Sequence, residues 1–334
     1  ELKKEWEVVV VKDGEELKLQ AKHLVFATGM SGMPNIPSIK NSDQFNGESI
    51  HSSEFTNGAN YKHKNCVVVG SNNSAHDIAA ELWEQGASNI TMIQRSSTTV
   101  ARSSTLLDLQ SRGNFSEKAV QSGLSVDIAD LIVASNPYKL AHLDGQKSVR
   151  LLKSIDEEFY TNLKDSGFLF DFGEDASGLS LKYLRRGSGY YIDVGGSELI
   201  INGEIKLESS VEIESFKEKS IVLNNGKEID CDLVVFATGY GSMNQWAEKL
   251  ISKEIADKVG KCWGLGSGTR KDPGPWEGEL RNMWKPTHQK SLWFHGGNLA
   301  QARHYSKYLS LQIKARYENL PLKVYGIPEV NHLS

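Results

Sequence analysis

The chain has 334 residues, which allows about two domains and a substantial buried core. Its 39% hydrophobic and 24% charged residues are typical of a soluble globular protein, and its formal net charge of −4 favours neither nucleic acid nor an anionic membrane as a partner. No apolar run is long enough to span a bilayer. The cysteines form no Cys-x-x-Cys pair, which argues against a redox-active dithiol and for buried thiols in a protein of the reducing cytoplasm.

The first predicted elements are a hairpin and an apolar strand. Residues 6–11 and 17–20 have strand patterns on either side of an Asp-Gly turn, and the apolar stretch 23–30 contains the sequence Ala-Thr-Gly. The prolines that follow suit a rigid crossing between two domains. Because a strand pattern begins almost at Glu1 and no initiator Met precedes it, we expect further residues upstream in the gene product.

Residues 66–94 have the pattern of a strand, a tight loop, a helix and a second strand. An apolar run ends at Gly70, and apolar residues then recur at the spacing of one helix face from Ala75 to Trp83. In such a βαβ unit, free backbone N–H groups and the positive end of the helix dipole meet at the loop, where they stabilise a pyrophosphate. We therefore predict a dinucleotide site formed by Gly70, Ser71, Asn72, Asn73 and Ser74.

Two positions refine this prediction. Asn72 stands where a G-x-G-x-x-G/A fingerprint has its second glycine, and asparagine tolerates left-handed backbone angles better than most residues, so the match is weakened but not lost. At the end of the second strand an arginine accommodates a 2′-phosphate, whereas an acidic residue would bind the ribose hydroxyl. Arg95 and Ser96 therefore predict NADPH, and a surface arginine at a strand end is the alternative interpretation.

Residues from about 103 to 184 depart from the alternation of strands and helices. Apolar spacing predicts helices over 124–134 and 149–163. This helical insertion either covers an active site and shapes a substrate pocket, or is a surface elaboration without contact to substrate. The Arg185–Arg186 pair that follows has the chemistry to bind a phosphate or a carboxylate, with a solvated loop as the simpler interpretation.

The hairpin and strand pattern recurs later in the chain. Residues 211–223 have strand patterns, and the apolar stretch 233–240 again contains Ala-Thr-Gly, so the chain carries an internal repeat. Only the second copy is preceded by a complete βαβ unit. The sequence thus predicts an α/β fold of two Rossmann-like dinucleotide-binding modules, three-layered with β-meanders, the first of them incomplete, plus the helical insertion.

Beyond the second copy we expect the chain to return to the first module. A long loop rich in proline, glycine and tryptophan contains Trp276, Arg281 and Trp284, which are candidates for a substrate wall, with ordinary packing as the alternative. A last strand, two glycines and a helix follow, and Asn298 takes the N-cap position of that helix. This helix terminus favours an anion, and a helix cap without a ligand is the alternative.

The segment from Phe45 to Phe55 fits the pattern F-x-G-x-x-x-H-x-x-x-F, which resembles the fingerprint of flavin-containing monooxygenases. The related Baeyer–Villiger fingerprint carries tryptophan where this chain has Phe55. The paired Ala-Thr-Gly strands resemble the two modules of the same flavoproteins, which bind FAD in the first and NADPH in the second. In the family this segment links the domains, so the resemblance assigns His51 to cofactor positioning or domain motion rather than to proton transfer.

The resemblance also implies residues for both cofactors. Thr238 and Gly239 end the Ala-Thr-Gly strand of the NADPH module, and Thr28 and Gly29 hold the matching positions in the FAD module. In the family the N-terminus of the last helix points at the pyrimidine edge of the flavin, where it stabilises the negative charge of reduced flavin. The residues assigned to this terminus are Gly297, Asn298, Leu299 and Gln301.

By this resemblance residues 1–58 are part of the first FAD-module segment and the linker, 59–240 the NADPH-binding domain, and 241–334 the return segment of the FAD domain. Similar enzymes pass hydride from NADPH to FAD and form a C4a-hydroperoxyflavin with O₂, which oxygenates a nitrogen, sulfur or carbonyl carbon of a small substrate. No metal is expected. Because the FAD-phosphate loop is absent from these residues, we expect the chain to be a fragment of such an enzyme.

Two other functions stay open at this point. The protein could be an NADPH oxidase or flavin reductase that oxygenates nothing, or a non-catalytic NADP(H)-binding module. A homodimer is a further expectation, and no nucleic acid or membrane partner is expected.

Overall fold

The computed structural model describes residues 6–110, 113–265 and 280–322. The strands are β1 (Trp6–Lys12), β2 (Glu15–Ala21), β3 (Leu24–Phe26), β4 (Ser31–Pro34), β5 (Glu48–His51), β6 (Asn65–Val69), β7 (Asn89–Gln94), β8 (Thr98–Arg102), β9 (Phe170–Asp171), β10 (Tyr190–Asp193), β11 (Lys206–Ser209), β12 (Ile213–Phe216), β13 (Ser220–Leu223), β14 (Glu228–Asp230), β15 (Leu233–Phe236), β16 (Tyr240–Ser242) and β17 (Leu292–Phe294). The helices are α1 (Asn73–Glu84), α2 (Ser103–Gln110), α3 (Glu117–Gln121), α4 (Val126–Ala134), α5 (Ala141–Ile155), α6 (Glu157–Asp165), α7 (Gly178–Arg186), α8 (Gly196–Ile201), α9 (Gln245–Leu250), α10 (Lys253–Val259) and α11 (Leu299–Tyr317).

The chain divides into two compact units. The first comprises Glu1–Met33, Val126–Lys139 and Gly241–Ser334, and the second comprises Pro34–Ser125 and Leu140–Tyr240. The segment with His51 packs in the second unit, because β5 pairs in parallel with β15.

The second unit is built on a five-stranded parallel sheet with the order β11-β7-β6-β15-β5. Its central strands β6 and β15 are nearly continuous apolar runs because both of their faces are covered. Helices α1, α6 and α8 pack on one face, and the antiparallel meander β12-β13-β14 packs on the other. The predicted α/β class, with a three-layered Rossmann-like module and its β-meander, is therefore confirmed.

The helical insertion runs from α2 to α7. The helix predicted over 149–163 is two helices, because the chain leaves helical geometry at Asp156, with φ −104° and ψ 29°. The Asp156 carboxylate is buried and accepts a hydrogen bond from Thr105 Oγ1 at 2.9 Å. Such a contact between distant residues leaves no trace in apolar spacing. Among the helices of the described ranges, none is long and apolar enough to cross a membrane.

The first unit contains the predicted N-terminal hairpin and a parallel strand pair. Strands β1 and β2 pair from Trp6–Ala21 to Lys12–Glu15 around the Asp-Gly turn. Strand β3 pairs in parallel with β17, and the two carry stacked phenylalanines, Phe26 and Phe294. Helix α4 is joined to α11 by two hydrogen bonds between the Asp130 carboxylate and the Arg303 guanidinium, at 2.8 and 2.6 Å.

Candidate functional site

The turn between β6 and α1 requires a glycine. Gly70 has a φ of 129°, and a Cβ atom there would lie 2.5 Å from the carbonyl oxygen of Ala237, at the end of β15. The Gly70 N–H donates to the carbonyl of Ile93 at 2.9 Å, which joins the turn to the end of β7. A side chain at this position would therefore push the neighbouring strand ends apart.

Asn72 precedes α1 in an extended conformation, with φ −97° and ψ −169°. The left-handed angles that the sequence suggested for Asn72 are not adopted, and a side chain fits at this position for that reason. Its carbonyl accepts from the N–H groups of Ala75 and His76 at 3.0 and 3.1 Å. The N–H groups of Asn73 and Ser74 have no acceptor within the described ranges, so they and the helix dipole are available to an anion.

Two of the predicted loop residues use their side chains inside the fold. Ser71 Oγ lies 2.7 Å from Thr98 Oγ1 and accepts from Gln94 Nε2 at 3.3 Å. Asn73 Oδ1 accepts from the backbone N–H of Ile192 at 2.9 Å. These side chains hold the loop in place, so the loop presents its backbone to a ligand.

A cleft of about 530 Å³ opens beside this loop in the second unit. The predicted cofactor residues that line it are Gly70, Ser71, Asn72, Arg95, Ser96 and Thr238, whereas Asn73, Ser74 and Gly239 do not line it. The Arg95 side chain is 77% exposed, and its guanidinium lies 4.0 Å from the Glu212 carboxylate. This weak contact leaves Arg95 accessible to a ligand phosphate.

A second cationic wall comes from α7, and the sequence analysis missed part of it. Lys182 and Arg186 line the same cleft as Arg95. Lys182 Nζ lies 3.5 Å from the Asp171 carboxylate, and Arg186 forms an ion pair with Glu174. The i, i+4 spacing of two cations directly before a glycine-rich turn was the signal that could have marked both residues.

Asp171 anchors this wall. Its carboxylate accepts from Ser97 Oγ at 2.6 Å and from the Gly173 N–H at 2.8 Å. Burial raises the pKa of Asp171, but the hydrogen bonds to its carboxylate, together with the Lys182 ammonium, outweigh burial and hold the pKa below its ordinary value. The ionised carboxylate therefore joins the loop that follows Arg95 to α7.

The arginine pair divides between two roles. The Arg185 guanidinium donates to both carboxylate oxygens of Asp175, at 3.0 and 2.7 Å, and these bonds lower the pKa of Asp175. Arg186 lines the cleft instead. Both arginines have an acidic partner, but only Arg186 lines the cleft, so the geometry does not favour a carboxylate held by both arginines.

His51 is fully buried, and both of its ring nitrogens are hydrogen-bonded. Nδ1 accepts from the backbone N–H of Ser53 at 3.1 Å, so the neutral ring carries its proton on Nε2, which donates to the Gly239 carbonyl at 3.0 Å. The ring of Tyr240 meets His51 edge-on at a centroid distance of 5.0 Å. These contacts fix the linker to the end of the second Ala-Thr-Gly strand and leave no ring nitrogen free for proton transfer.

In the first unit, β3 and β17 pair in parallel, and residues assigned to the flavin follow the ends of both strands. A Cβ atom on Gly296 would lie 2.1 Å from the Gly29 carbonyl, so the two strand ends touch. Asn298 caps α11 as predicted, because its Oδ1 accepts from the Gln301 N–H at 2.9 Å and the Gln301 side chain accepts from the Asn298 N–H at 3.2 Å. The Gln301 side chain thus serves the cap, while the Leu299 side chain is 89% exposed.

The candidate substrate wall is packed in the first unit. Trp284 is buried, stacks on Tyr305 at 4.6 Å and meets Trp263 edge-on at 6.2 Å. The backbone of Arg281 pairs with that of Trp263. Trp276 lies outside the described residues. For Trp284 the observed contacts favour ordinary packing.

Comparison with known proteins identifies related sequences. The family described as pyridine nucleotide-disulphide oxidoreductase matches residues 1–130. The chain is 29% identical over 246 residues to the probable indole-3-pyruvate monooxygenase YUCCA10 of Arabidopsis thaliana, covering 73% of this chain and 56% of that protein. It is 27% identical over 250 residues to the probable FAD-binding monooxygenase AlmA of Acinetobacter baylyi, covering 71% and 46%. The chain thus spans about half the length of the curated relatives it matches.

The family description names disulphide chemistry, for which the state of the cysteines is relevant. All three are free and buried. Burial raises the pKa of Cys66 and of Cys231 to about 12 and also raises that of Cys262, so the thiols stay protonated and are poor nucleophiles. The cysteines therefore provide no dithiol for disulphide exchange.

Solved structures share the fold. Cyclohexanone monooxygenase with bound epsilon-caprolactone matches with a TM-score of 0.56 at 13% identity, covering 95% of this chain and 66% of that one. The OTEMO complex with FAD and NADP matches with a TM-score of 0.55 at 14% identity, covering 95% and 65%. The chain is thus similar in sequence to flavin monooxygenases over about three quarters of its length, and it shares the fold of solved monooxygenase structures.

Proposed function

We propose that this chain supplies the NADPH-binding unit and part of the FAD-binding module of a flavin-dependent monooxygenase. The observation that carries the proposal is the cleft of the second unit. There the Gly70 turn, Asn72 directly before α1, and the cationic side chains of Arg95, Lys182 and Arg186 line one space of about 530 Å³. A cleft of this size and charge suits a phosphorylated dinucleotide.

The residues present fit NADPH. We place the pyrophosphate beside Gly70, Ser71 and Asn72, which line the cleft, because the Gly70 turn allows its close approach and the N–H groups of Asn73 and Ser74 follow directly in the chain. Arg95 binds the 2′-phosphate together with Ser96, and Arg186 adds a second guanidinium to the lining of the cleft. His51 positions the Thr238–Gly239 strand end beside this cleft.

The first unit fits one part of FAD. The touching ends of β3 and β17, with Thr28, Gly29 and Gly297, and the N-terminus of α11 at Asn298 are suited to the polar edge of a flavin ring. Within the described part of the chain, the first unit has no glycine loop for a pyrophosphate, so the ADP half lacks a site there. When bound, FAD supplies the redox chemistry with O₂, and NADPH supplies the hydride.

The similarity to known relatives supports only a broad substrate class. The printed names of YUCCA10 and AlmA describe monooxygenases, which supports a small organic substrate and O₂ as reactants. Oxygenation at a nitrogen, a sulfur or a carbonyl carbon, a cytoplasmic location and a homodimer are parts of this proposal that await their own tests.

Changing Arg95 to Ala tests the phosphate role. We expect the Kd for NADPH to rise about ten- to a hundredfold, because one charge-assisted pair to the 2′-phosphate is lost, while the Kd for NADH stays within about twofold. Calorimetric titration of both cofactors measures this. Arg150→Ala is the matched control, since Arg150 is exposed in the same unit and does not line the cleft. Equal losses for NADPH and NADH would remove the basis for choosing the phosphorylated cofactor.

A visible absorption spectrum of the purified chain, with and without added FAD, tests the flavin part. We expect a colourless protein that binds NADPH but loses added FAD on desalting. A flavin spectrum that survives desalting would show that the chain completes the flavin site itself, which would contradict the inference that the ADP half of FAD lacks a site in the first unit.

The rival functions are separated by product analysis of the flavin-loaded protein. A monooxygenase couples NADPH consumption to oxygenated product. An NADPH oxidase or flavin reductase consumes NADPH without such a product, and a binding module consumes none.

A further inference from the structure

A second cleft, of about 950 Å³, lies entirely in the first unit, at the amino ends of β3 and β17. Lys22 and His23 directly precede β3, and Ser291 directly precedes β17. The residues assigned to the flavin follow the carboxyl ends of these strands, so the cleft lies at the opposite end of the strand pair. It is therefore distinct from the flavin-side residues, and from the NADPH cleft, which lies in the second unit.

Positive charge dominates the described lining of the cleft. Lys22, Lys290 and Arg316 line it, and none of its described lining residues carries a carboxylate. In the ranges that the structure describes, none of these three cations has an ion-pair partner. Nε of Arg316 is buried and has no hydrogen-bond partner there. A charged donor shielded from water without an acceptor costs free energy, and an anion bound beside Arg316 would satisfy it.

The positive charge of the cleft also affects the pKa of His23. Burial, and then the positive charges of Arg316 and Lys22, lower the pKa of His23. Its Nδ1 accepts from Trp293 Nε1 at 3.1 Å, so the neutral ring carries its proton on Nε2. No described residue accepts from Nε2. The ring therefore offers one more donor at a lining position of the cleft.

Aromatic side chains provide a flat surface beside these donors. Tyr317 lies 5.2 Å from the His23 ring and below the Lys22 ammonium, also at 5.2 Å. Trp6 lines the cleft and is held by its Nε1, which donates to the Ser291 carbonyl at 3.1 Å. Donors beside two aromatic rings suit a ligand with an anionic group and a flat body.

Stabilisation of the α11 terminus does not explain this arrangement. Arg316 lies in the last turn of α11, where a cation interacts with the helix dipole. The carbonyls of Lys314, Ala315 and Arg316 already accept from backbone N–H groups, at 3.0, 2.9 and 3.2 Å. Lys22 and Lys290 belong to other segments, and the helix end gives no reason for their convergence.

We propose that this cleft binds a phosphate-bearing small molecule, whose phosphate oxygens accept from Arg316, Lys22 and Lys290 and whose flat part packs against Tyr317. Guanidinium and ammonium groups together are typical phosphate ligands, and the volume suits a nucleotide-sized molecule. The proposal does not depend on the function proposed above, because none of its residues belongs to the NADPH cleft.

Calorimetric titration with inorganic pyrophosphate tests the charged part. The Arg95→Ala variant is the starting protein, because its NADPH cleft is weakened. We expect a binding event whose Kd is raised about tenfold or more by adding Arg316→Gln and by adding Lys290→Gln, whereas pyrophosphate bound at the Gly70 loop is unaffected by both changes. Lys290 is exposed, so its variant tests the proposal even where Arg316→Gln disturbs folding. Lys18→Gln is the matched control, since Lys18 is exposed in the same unit outside the cleft.

ADP tests the flat part in the same background. We expect ADP to bind more tightly than pyrophosphate and Tyr317→Ala to remove that difference. Absence of pyrophosphate binding in the folded Arg95→Ala protein would overturn the proposal. Binding that neither Arg316→Gln nor Lys290→Gln weakens would also overturn it.

Discussion

At the scale of single residues, we propose that His51 is a positioning group. It is fully buried with both ring nitrogens bonded, and its own N–H donates to the Glu54 carboxylate at 3.0 Å. We predict that His51→Ala lowers the free energy of unfolding by about 2 to 4 kcal/mol, since it leaves a gap and unpaired partners. Urea unfolding measures this, with His288→Ala, at an exposed position, expected within about 0.5 kcal/mol of wild type. A loss for His51→Ala as small as that control would contradict the role.

His76 makes stability depend on pH. Burial lowers its pKa from 6.5 to about 4, and its ring stacks on Tyr191 at 3.7 Å. The unfolded chain takes up a proton at this ring at a higher pH than the folded chain does, so stability present above pH 6.5 is lost as the pH falls towards 4. We predict a loss of about 2 kcal/mol between about pH 7 and pH 5 from this group alone.

His76→Phe tests this dependence because it keeps the ring stack and removes the titration. Urea unfolding at both pH values should show a smaller loss of stability in the variant than in wild type. Equal losses in the two proteins would assign the acid sensitivity to other groups.

At the scale of elements, the β6–α1 turn joins stability to cofactor binding. A Cβ on Gly70 would clash with the Ala237 carbonyl, and the φ of 129° is strained for any other residue. We predict that Gly70→Ala lowers the free energy of unfolding by about 2 kcal/mol or more and weakens NADPH binding. Gly203→Ala is the control, since Gly203 has a φ of 77° with open space around its Cβ position. Equal losses in both variants would show that the close approach to Ala237 costs nothing.

Sequence motifs predicted best those elements whose structure depends on neighbouring residues alone. The Asp-Gly hairpin, the strand–loop–helix at Gly70 and the Asn298 cap are all present, since turn and capping chemistry acts within a few residues. Apolar spacing failed at Asp156, where a hydrogen bond from Thr105 accompanies the break between α5 and α6.

At the scale of the whole molecule, the two compact units predict a local response to cofactor. Hydrogen exchange of the chain with NADP⁺ at about a hundred times its Kd should show added protection in the second unit, by up to about 2.7 kcal/mol in segments that open only on its unfolding. The β1–β2 hairpin of the first unit should exchange as before. Protection that rises equally in that hairpin would contradict a cofactor site confined to the second unit.

The sequence by itself predicted the fold class of the protein and its resemblance to flavin monooxygenases. Glycine loops, the repeated Ala-Thr-Gly strands and the Phe45–Phe55 pattern lie within short stretches, so their chemistry can be seen without a fold. The tertiary structure alone decided which side chains share a cleft. It placed Lys182 and Arg186 in the same cleft as Arg95, and it committed the Asn73 and Gln301 side chains to hydrogen bonds within the fold. These contacts join residues that are far apart in the sequence or whose side-chain directions are set by packing. The spacing of residues along the chain therefore does not predict them.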